Sequence, residues 1–97
     1  MATYITLASW TDLGIKDVKE SPSRLDKFKA AAQKFGCEIK DFYLVSGKYD
    51  MILITEAPDD ETMAKLALAT GSKGMVRTET LRAYPEGAYR EIISALP

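Results

Sequence analysis

The sequence contains no histidine and only one cysteine, and these two shortages remove much of enzyme chemistry. Without imidazole the chain lacks the commonest general base, the usual zinc and haem ligand and every histidine-dependent triad. One cysteine allows neither an intrachain disulfide nor a multi-cysteine metal site, so we predict no metal and a reducing compartment. We expect Cys37 to be a small, buried or half-buried apolar residue.

An excess of charge of one sign and a long hydrophobic run are also lacking. Thirteen Lys and Arg against fourteen Asp and Glu leave a net charge of −1, and the basic residues are scattered along the chain. This disfavours phosphate-driven binding of nucleic acid. No segment approaches the roughly 20 apolar residues that span a bilayer, and the first ten residues lack a basic start. We therefore expect a cytoplasmic protein that binds neither nucleic acid nor membrane.

The common catalytic and nucleotide-binding motifs are absent as well. There is no GxSxG, no GxGxxG and no phosphate-loop lysine, so we predict no cofactor. The segment from Gly71 to Gly74 matches a GXXG loop that clamps single-stranded nucleic acid, but such loops join two helices. Here we expect it to join a helix to a strand, so a helix end followed by a turn is the better interpretation.

What remains is the composition of one globular domain over residues 1–97, with 46% hydrophobic and 28% charged residues. Residues 3–9 are β-branched and aromatic, which predicts a strand. Thr11 and Asp12 offer helix-capping side chains, and residues 12–20 predict one or two helical turns.

The clearest helix is predicted to begin at Ser21-Pro22, because Ser can cap free N–H groups and Pro suits the first turn. Gly36 is expected to end this helix in the left-handed conformation. The helical spacing predicts one buried stripe: Leu25, Phe28, Ala32 and Phe35.

Residues 38–46 and 49–56 are predicted to form two strands joined by a short turn at Gly47-Lys48, where Gly supplies the positive φ of a tight hairpin. The second strand is apolar on both faces, so both faces should be covered. Alternation places Tyr49, Met51 and Leu53 on one face and Asp50, Ile52 and Ile54 on the other.

A second helix is predicted after Pro58, because three acidic residues from Asp59 to Glu61 favour the positive end of a helix dipole. Residues 75–83 then predict an edge strand with charged and polar alternation. The predicted helix ends at Gly71 and buries Met63, Leu66, Ala67 and Thr70. A tail helix near Pro85 is expected to pack Tyr89, Ile92 and Ile93.

The resulting order, β-α-β-β-α-β plus a short C-terminal helix, is the split β-α-β pattern of ferredoxin-like α+β folds. Such a four-stranded antiparallel sheet carries both helices on one face and leaves the other bare. A bare apolar sheet face is a docking surface, and symmetric pairing is its commonest use. The sequence therefore predicts a homodimer or a larger homo-oligomer.

Asp50 is the most informative polar residue, because it opens an apolar strand where an unpaired carboxylate would be costly. In one interpretation Asp50 accepts backbone N–H groups at the turn or pairs with Arg77, and so fixes the register. In the other, a ligand pocket lies at this end of the sheet, where Arg77 or Lys48 holds an anion and an aromatic ring covers an apolar group. The residues expected to cluster there are Trp10, Tyr49, Asp50, Arg77 and Thr78.

The residues Gly47, Tyr49 and Asp50, within SGKYDMILITEAPDDE, resemble the Gly-x-Tyr-Asp signature of the GYD domain family. The segments WTDLGIKDVKESPSR and VRTETLRAY are similar to the same family, so the resemblance covers almost the whole chain. The stretch 47–84 also resembles the ligand-binding domain of leucine-responsive (Lrp/AsnC type) regulators. Those domains are ferredoxin-like, pair through their sheets and bind amino acids between subunits. No helix-turn-helix precedes the domain here, so DNA-binding regulation is not implied.

The resemblance implies the dimeric α/β-barrel architecture, and three functions stay open. The first is a small-molecule-binding or sensory homo-oligomer that takes a small anionic or amino-acid-like ligand at the cluster around Asp50. The second is a cofactor-independent enzyme, similar to a monooxygenase or an isomerase, that uses Asp50 or a tyrosine for proton transfer. The third is a structural assembly subunit. An unpaired Asp50 in a closed pocket would favour the enzyme hypothesis. An Asp50 whose oxygens accept backbone N–H groups would favour the structural hypothesis.

Overall fold

One antiparallel sheet and four helices make up the chain, and the computed structural model describes all of residues 1–97. A single 3-10 turn, Val18–Glu20, precedes the second helix. In chain order the elements are β1 (Ala2–Trp10), α1 (Asp12–Lys16), α2 (Ser21–Lys34), β2 (Glu38–Leu44), β3 (Met51–Ala57), α3 (Asp60–Gly71), β4 (Val76–Ala83) and α4 (Glu86–Ser94).

The strands lie in the order β2-β3-β1-β4, and every neighbouring pair is antiparallel. This is the ferredoxin-like α+β arrangement predicted from the sequence, and the predicted C-terminal helix is present. β4 lies at one edge, as its charged alternation indicated. β2 forms the other edge, and its pairing with β3 shifts register between Ile39 and Asp41.

Helices α2 and α3 pack on one face of the sheet, which leaves the second face open. The residues of β3 alternate between buried and half-buried along the whole strand. Met51 and Leu53 are buried beneath the helices, whereas Ile52 and Ile54 are half-buried on the open face. The core beneath the helices contains Tyr4, Ala32, Cys37, Ala57, Met63 and Leu66. β3 is therefore apolar on both faces, as predicted.

The two long helices have the predicted extents, but the start of α2 differs in detail. Ser21 does not cap α2 with its side chain. The 3-10 turn runs directly into the helix, and the backbone N–H of Ser21 bonds to the carbonyl of Val18 instead. For α3 the cap is Asp59, whose carboxylate accepts the N–H of Thr62 at 2.8 Å. Gly36 has a φ of 78°, as expected for the residue that ends α2.

The hairpin between β2 and β3 is wider than predicted. Residues 45–50 form a six-residue loop, in which Gly47 alone has a positive φ, of 141°. The loop closes where the N–H of Val45 donates to the carbonyl of Asp50 at 2.8 Å. Tyr49 and Asp50 therefore lie in the loop, so the predicted strand start at residue 49 is wrong by two residues.

Helix α4 is where predicted, but its apolar side chains are not buried in the single chain. No residue of α4 is buried. Tyr89, Ile92 and Ile93 are 55%, 46% and 50% exposed. No helix of the structure combines the length and the apolar character that crossing a membrane requires.

Candidate functional site

Asp50 joins the β2-β3 loop to the end of β1. Its Oδ2 accepts the backbone N–H of Trp10 at 3.0 Å, and its own N–H donates to the carbonyl of Ala8 at 2.9 Å. The last residue pair between β1 and β3 is Ala8 with Met51, so Asp50 continues this ladder by one residue before the start of β3. Asp50 makes no ion pair with Arg77. The carboxylate thus has the geometry of a backbone acceptor that fixes register.

The five residues predicted to cluster do lie at one end of the sheet, but they divide between its two faces. In the β1-β4 pairing Trp10 lies opposite Val76, and Ala8 lies opposite Thr78. Because side chains alternate along a strand, Trp10 and Thr78 lie on the helix face and Arg77 lies on the open face. These residues therefore do not converge on a single pocket.

Tyr49 contacts a residue that the sequence did not single out. Its hydroxyl donates to Oε2 of Glu79 at 2.6 Å, and the ammonium of Lys48 lies 5.6 Å from the centre of its ring. The hydrogen bond to Glu79 raises the pKa of Tyr49, so the phenol keeps its proton and acts as a hydrogen-bond donor. The sequence did not indicate this contact, because Tyr49 and Glu79 are 30 residues apart and a contact over that separation leaves no local pattern.

Hydrogen bonds join the start of the short helix α1 to the loop before β4. Thr11 donates through its hydroxyl to the carbonyl of Gly74 at 2.5 Å and through its N–H to the carbonyl of Met75 at 3.1 Å. The hydroxyl of Thr11 also caps α1 by accepting the N–H of Gly14. Gly14 is required for this approach, since a Cβ there would lie 2.0 Å from the Met75 carbonyl oxygen.

A second cluster links the start of α3 to the end of β4. The hydroxyl of Tyr4 donates to Asp60, and Nε of Arg82 lies 4.0 Å from the same carboxylate. Burial, followed by this hydrogen bond, raises the pKa of Tyr4 to about 12. The guanidinium of Arg82 lies 5.5 Å from the ring centre of Tyr4 and 4.5 Å from that of Tyr84. Every group of this cluster has a partner, so its role is to position α3.

Burial and hydrogen bonds favour the protonated forms of the thiol and of the two phenols in these clusters. Cys37 is only 3% exposed, and burial raises the pKa of its thiol, which disfavours the reactive thiolate. No group of three or more Cys, Asp or Glu residues is arranged to hold a metal ion. The hydroxyls of Tyr4 and Tyr49 donate to the carboxylates of Asp60 and Glu79, but the pKa of each phenol is raised, which disfavours the nucleophilic phenolate.

The open face of the sheet presents apolar side chains that no helix covers. The registers place Ile54, Ile5 and Leu81 in one row across β3, β1 and β4. The next row contains Tyr43, Ile52, Leu7 and Glu79. Leu81 and Tyr43, at the two edges, are 43% and 54% exposed.

These features define a class: a small ferredoxin-like α+β protein with a helix-covered face and an uncovered apolar face. A model of the GYD domain matches residues 4–93, and the chain belongs to the GYD domain family. The family predicted from the Gly-x-Tyr-Asp hairpin is thus confirmed.

One curated relative is the "Glutamine synthetase and cystathionine beta-lyase binding protein" of the bacterium Thermus thermophilus. The two sequences are 35% identical over 86 residues, which cover 88% of this chain and 90% of the relative. No solved structure matches the chain.

Proposed function

We propose that this protein is a homo-oligomeric binding module that pairs through the open face of its sheet and attaches to a partner enzyme. The observation that carries the proposal is the row of apolar side chains on that face, which nothing in the single chain covers. At the centre of the face Leu7 lies beside Ile52, and Ile5 lies beside Ile54. Burying them against a second copy would remove this apolar surface from water, which stabilises the assembly by about 25 cal/mol for each Å² buried.

The size of the face indicates that a second surface takes part. Four strands spaced about 4.8 Å apart and about seven residues long cover roughly 440 Å². A stable interface buries about 800 Å² of accessible surface on each partner, so we propose that a second surface adds to the sheet face. We propose that α4 supplies much of the rest by packing on the neighbouring copy.

Helix α4 has the pattern that such packing needs. Tyr89, Ile92 and Ile93 follow one another at helical spacing, which places them on one stripe, and Leu96 lies just beyond the end of the helix. All four are exposed in the single chain. A nine-residue helix is marginal in water without tertiary contacts, so its stability requires a surface to pack on.

The protein-binding part of the proposal draws on the relative, whose name states that it binds glutamine synthetase and cystathionine beta-lyase. The match extends along 88% of this chain, so we propose that this chain binds an enzyme of the same kind. The geometry of Asp50 also favours a binding role over a catalytic one, because its carboxylate already accepts the Trp10 N–H and is not an unpaired group in a closed pocket. The catalytic alternative has no comparable observation in its favour.

Light scattering at micromolar concentration tests the pairing. The wild type should have at least twice the mass of the 10.7 kDa chain. Leu7→Glu places a charge at the centre of the open face and should give the monomer. Leu68→Glu is the matched control, because Leu68 is 74% exposed on α3 and faces away from the proposed interface. A monodisperse wild type with the 10.7 kDa mass of one chain would overturn the proposal.

Two further measurements separate the parts of the proposal. Deleting residues 85–97 should raise the Kd of the dimer at least about tenfold while the sheet domain stays folded. A tenfold change in Kd requires the loss of only about 1.4 kcal/mol of binding free energy. Calorimetric titration with purified glutamine synthetase and cystathionine beta-lyase tests the partner. Binding to neither enzyme would contradict the partner assignment and leave the pairing result intact.

A further inference from the structure

The helix face contains a cleft that the proposed pairing does not use. It lies between α2 and α3 and has a volume of about 300 Å³. A smaller cavity of about 90 Å³ continues inward between the helices and the sheet. Arg24, Phe28, Leu66, Thr70 and Val76 line both spaces, so the outer cleft and the inner cavity adjoin.

The interior of this cleft is apolar. Ten of the sixteen residues that line the inner cavity are hydrophobic, and so are seven of the eleven that line the outer cleft. Met51 and Leu53 of β3 form part of the inner cavity wall. Such a site favours the apolar body of a ligand over water, because the walls offer water few polar partners.

The rim of the cleft carries only positive charge. Arg24, Lys27 and Lys73 line the outer cleft, and no Asp or Glu lines either space. None of these three cations takes part in the ion pairs of the chain. Arg24 is held in place by hydrogen bonds to the carbonyls of Gly14, at 3.2 Å, and Asp17, at 3.1 Å. These neutral acceptors leave its charge uncompensated.

We propose that this cleft binds a small amphiphilic carboxylate. The carboxylate lies at the rim among Arg24, Lys27 and Lys73, and the hydrocarbon or aromatic body extends inward past Phe28 and Leu66. Charge complementarity favours a negatively charged head group, because three unpaired cations line a space that contains no acidic residue. The cleft is on the opposite side of the sheet from the open face, so ligand binding and pairing can fail independently.

Titration with sodium octanoate, followed by NMR of backbone amides, tests the site. Shifts should concentrate on residues 24–35 and 66–76. Octanamide, which has the same chain and no charge, should bind at least about fivefold more weakly, because it lacks the charge-assisted contacts. Equal affinity for acid and amide would overturn the assignment, and so would shifts confined to the open face or no binding at millimolar concentration.

A pair of double variants distinguishes the rim from general surface charge. Lys27→Gln with Lys73→Gln should weaken octanoate binding about fivefold or more and leave octanamide binding unchanged. Lys29→Gln with Lys34→Gln removes the same net charge from residues outside the cleft and should leave both affinities unchanged. Circular dichroism checks that each variant is folded. Equal losses in the two double variants would show non-specific attraction and refute the proposed rim.

Discussion

The carboxylate of Asp50 accepts the backbone N–H of Trp10 at 3.0 Å, and this bond joins the loop before β3 to the last residue of β1. The two residues are 40 positions apart in the chain. Asp50 thus extends the β1-β3 ladder beyond its last residue pair and specifies the register of the two central strands. Register matters here because a shift by one residue would exchange the two faces of β3.

Replacing Asp50 with Ala should destabilise the fold. The substitution leaves the Trp10 N–H without its partner, which costs about 1.5–3 kcal/mol for a bond to a charged acceptor. In a chain of this size the melting temperature should fall by about 6–24 °C. Asp50→Asn keeps an oxygen acceptor and should lose less. Asp26→Ala, at an exposed residue of α2 with no ion pair, is the control in thermal unfolding, and an equal melting temperature for all three would refute the role of Asp50.

Gly14→Ala should be destabilising although it adds only one methyl group. The new Cβ would lie 2.0 Å from the carbonyl oxygen of Met75, a backbone atom that also accepts the Thr11 N–H. We expect a loss of about 1–3 kcal/mol in urea unfolding, the usual cost of overpacking. Gly87→Ala has no heavy atom within 4 Å and should be neutral or stabilise by up to about 1 kcal/mol. A Gly14→Ala protein as stable as the wild type would show that the loop moves aside freely.

Stability should decline in alkaline solution because of Tyr4. Its pKa is about 12 in the folded chain, against 10.0 for an unperturbed tyrosine. Below about pH 10 the phenol is neutral in both states, so its contribution is fully present. At higher pH the unfolded state loses the proton first, and the contribution is lost as pH rises toward about 12. Urea unfolding between about pH 9 and pH 11.5 should give a shallower decline for Tyr4→Phe, whereas the exposed control Tyr89→Phe should follow the wild type. Identical slopes for all three would contradict the assignment.

Thr55→Val should stabilise the core. Thr55 is fully buried on β3, and its Oγ1 has no hydrogen-bond partner. Replacing a buried unpaired hydroxyl with a methyl group of similar shape removes a desolvation cost of about 1–3 kcal/mol. The expected result is a rise in the melting temperature, with the same mass in light scattering. A lower melting temperature would indicate that a water molecule satisfies the hydroxyl.

Local patterns predicted the elements whose causes are local. The stripe of Met63 and Leu66 predicted α3, and Gly36 predicted the end of α2, because both signals lie within a few residues of the structure they specify. The prediction that Ser21 caps α2 was wrong, because the preceding 3-10 turn satisfies the same backbone group. The prediction of a tight hairpin was also wrong, because the hydrogen bond from the Val45 N–H to the Asp50 carbonyl closes a longer loop.

The candidate site was predicted only in part. The order of the strands was enough to place Trp10 and Asp50 at the same end of the sheet, and they are hydrogen-bonded there. The partner of Tyr49, Glu79, was missed, and so was the cluster of Tyr4, Asp60 and Arg82. The hydrogen bonds of Tyr49 and Tyr4 join residues 30 and 56 positions apart, and nothing in the local sequence distinguishes Glu79 or Arg82 from the other charged residues of β4.

By itself the sequence determined the class of fold, the family, and the presence of a strand that is apolar on both faces. Periodicity and composition carry this information because each element buries its own pattern of side chains. Only the tertiary structure decided that the five predicted site residues lie on different faces, and that three cations line one apolar cleft between α2 and α3. Such convergence depends on how strands pair and helices pack across long stretches of chain, and spacing along the sequence does not encode it.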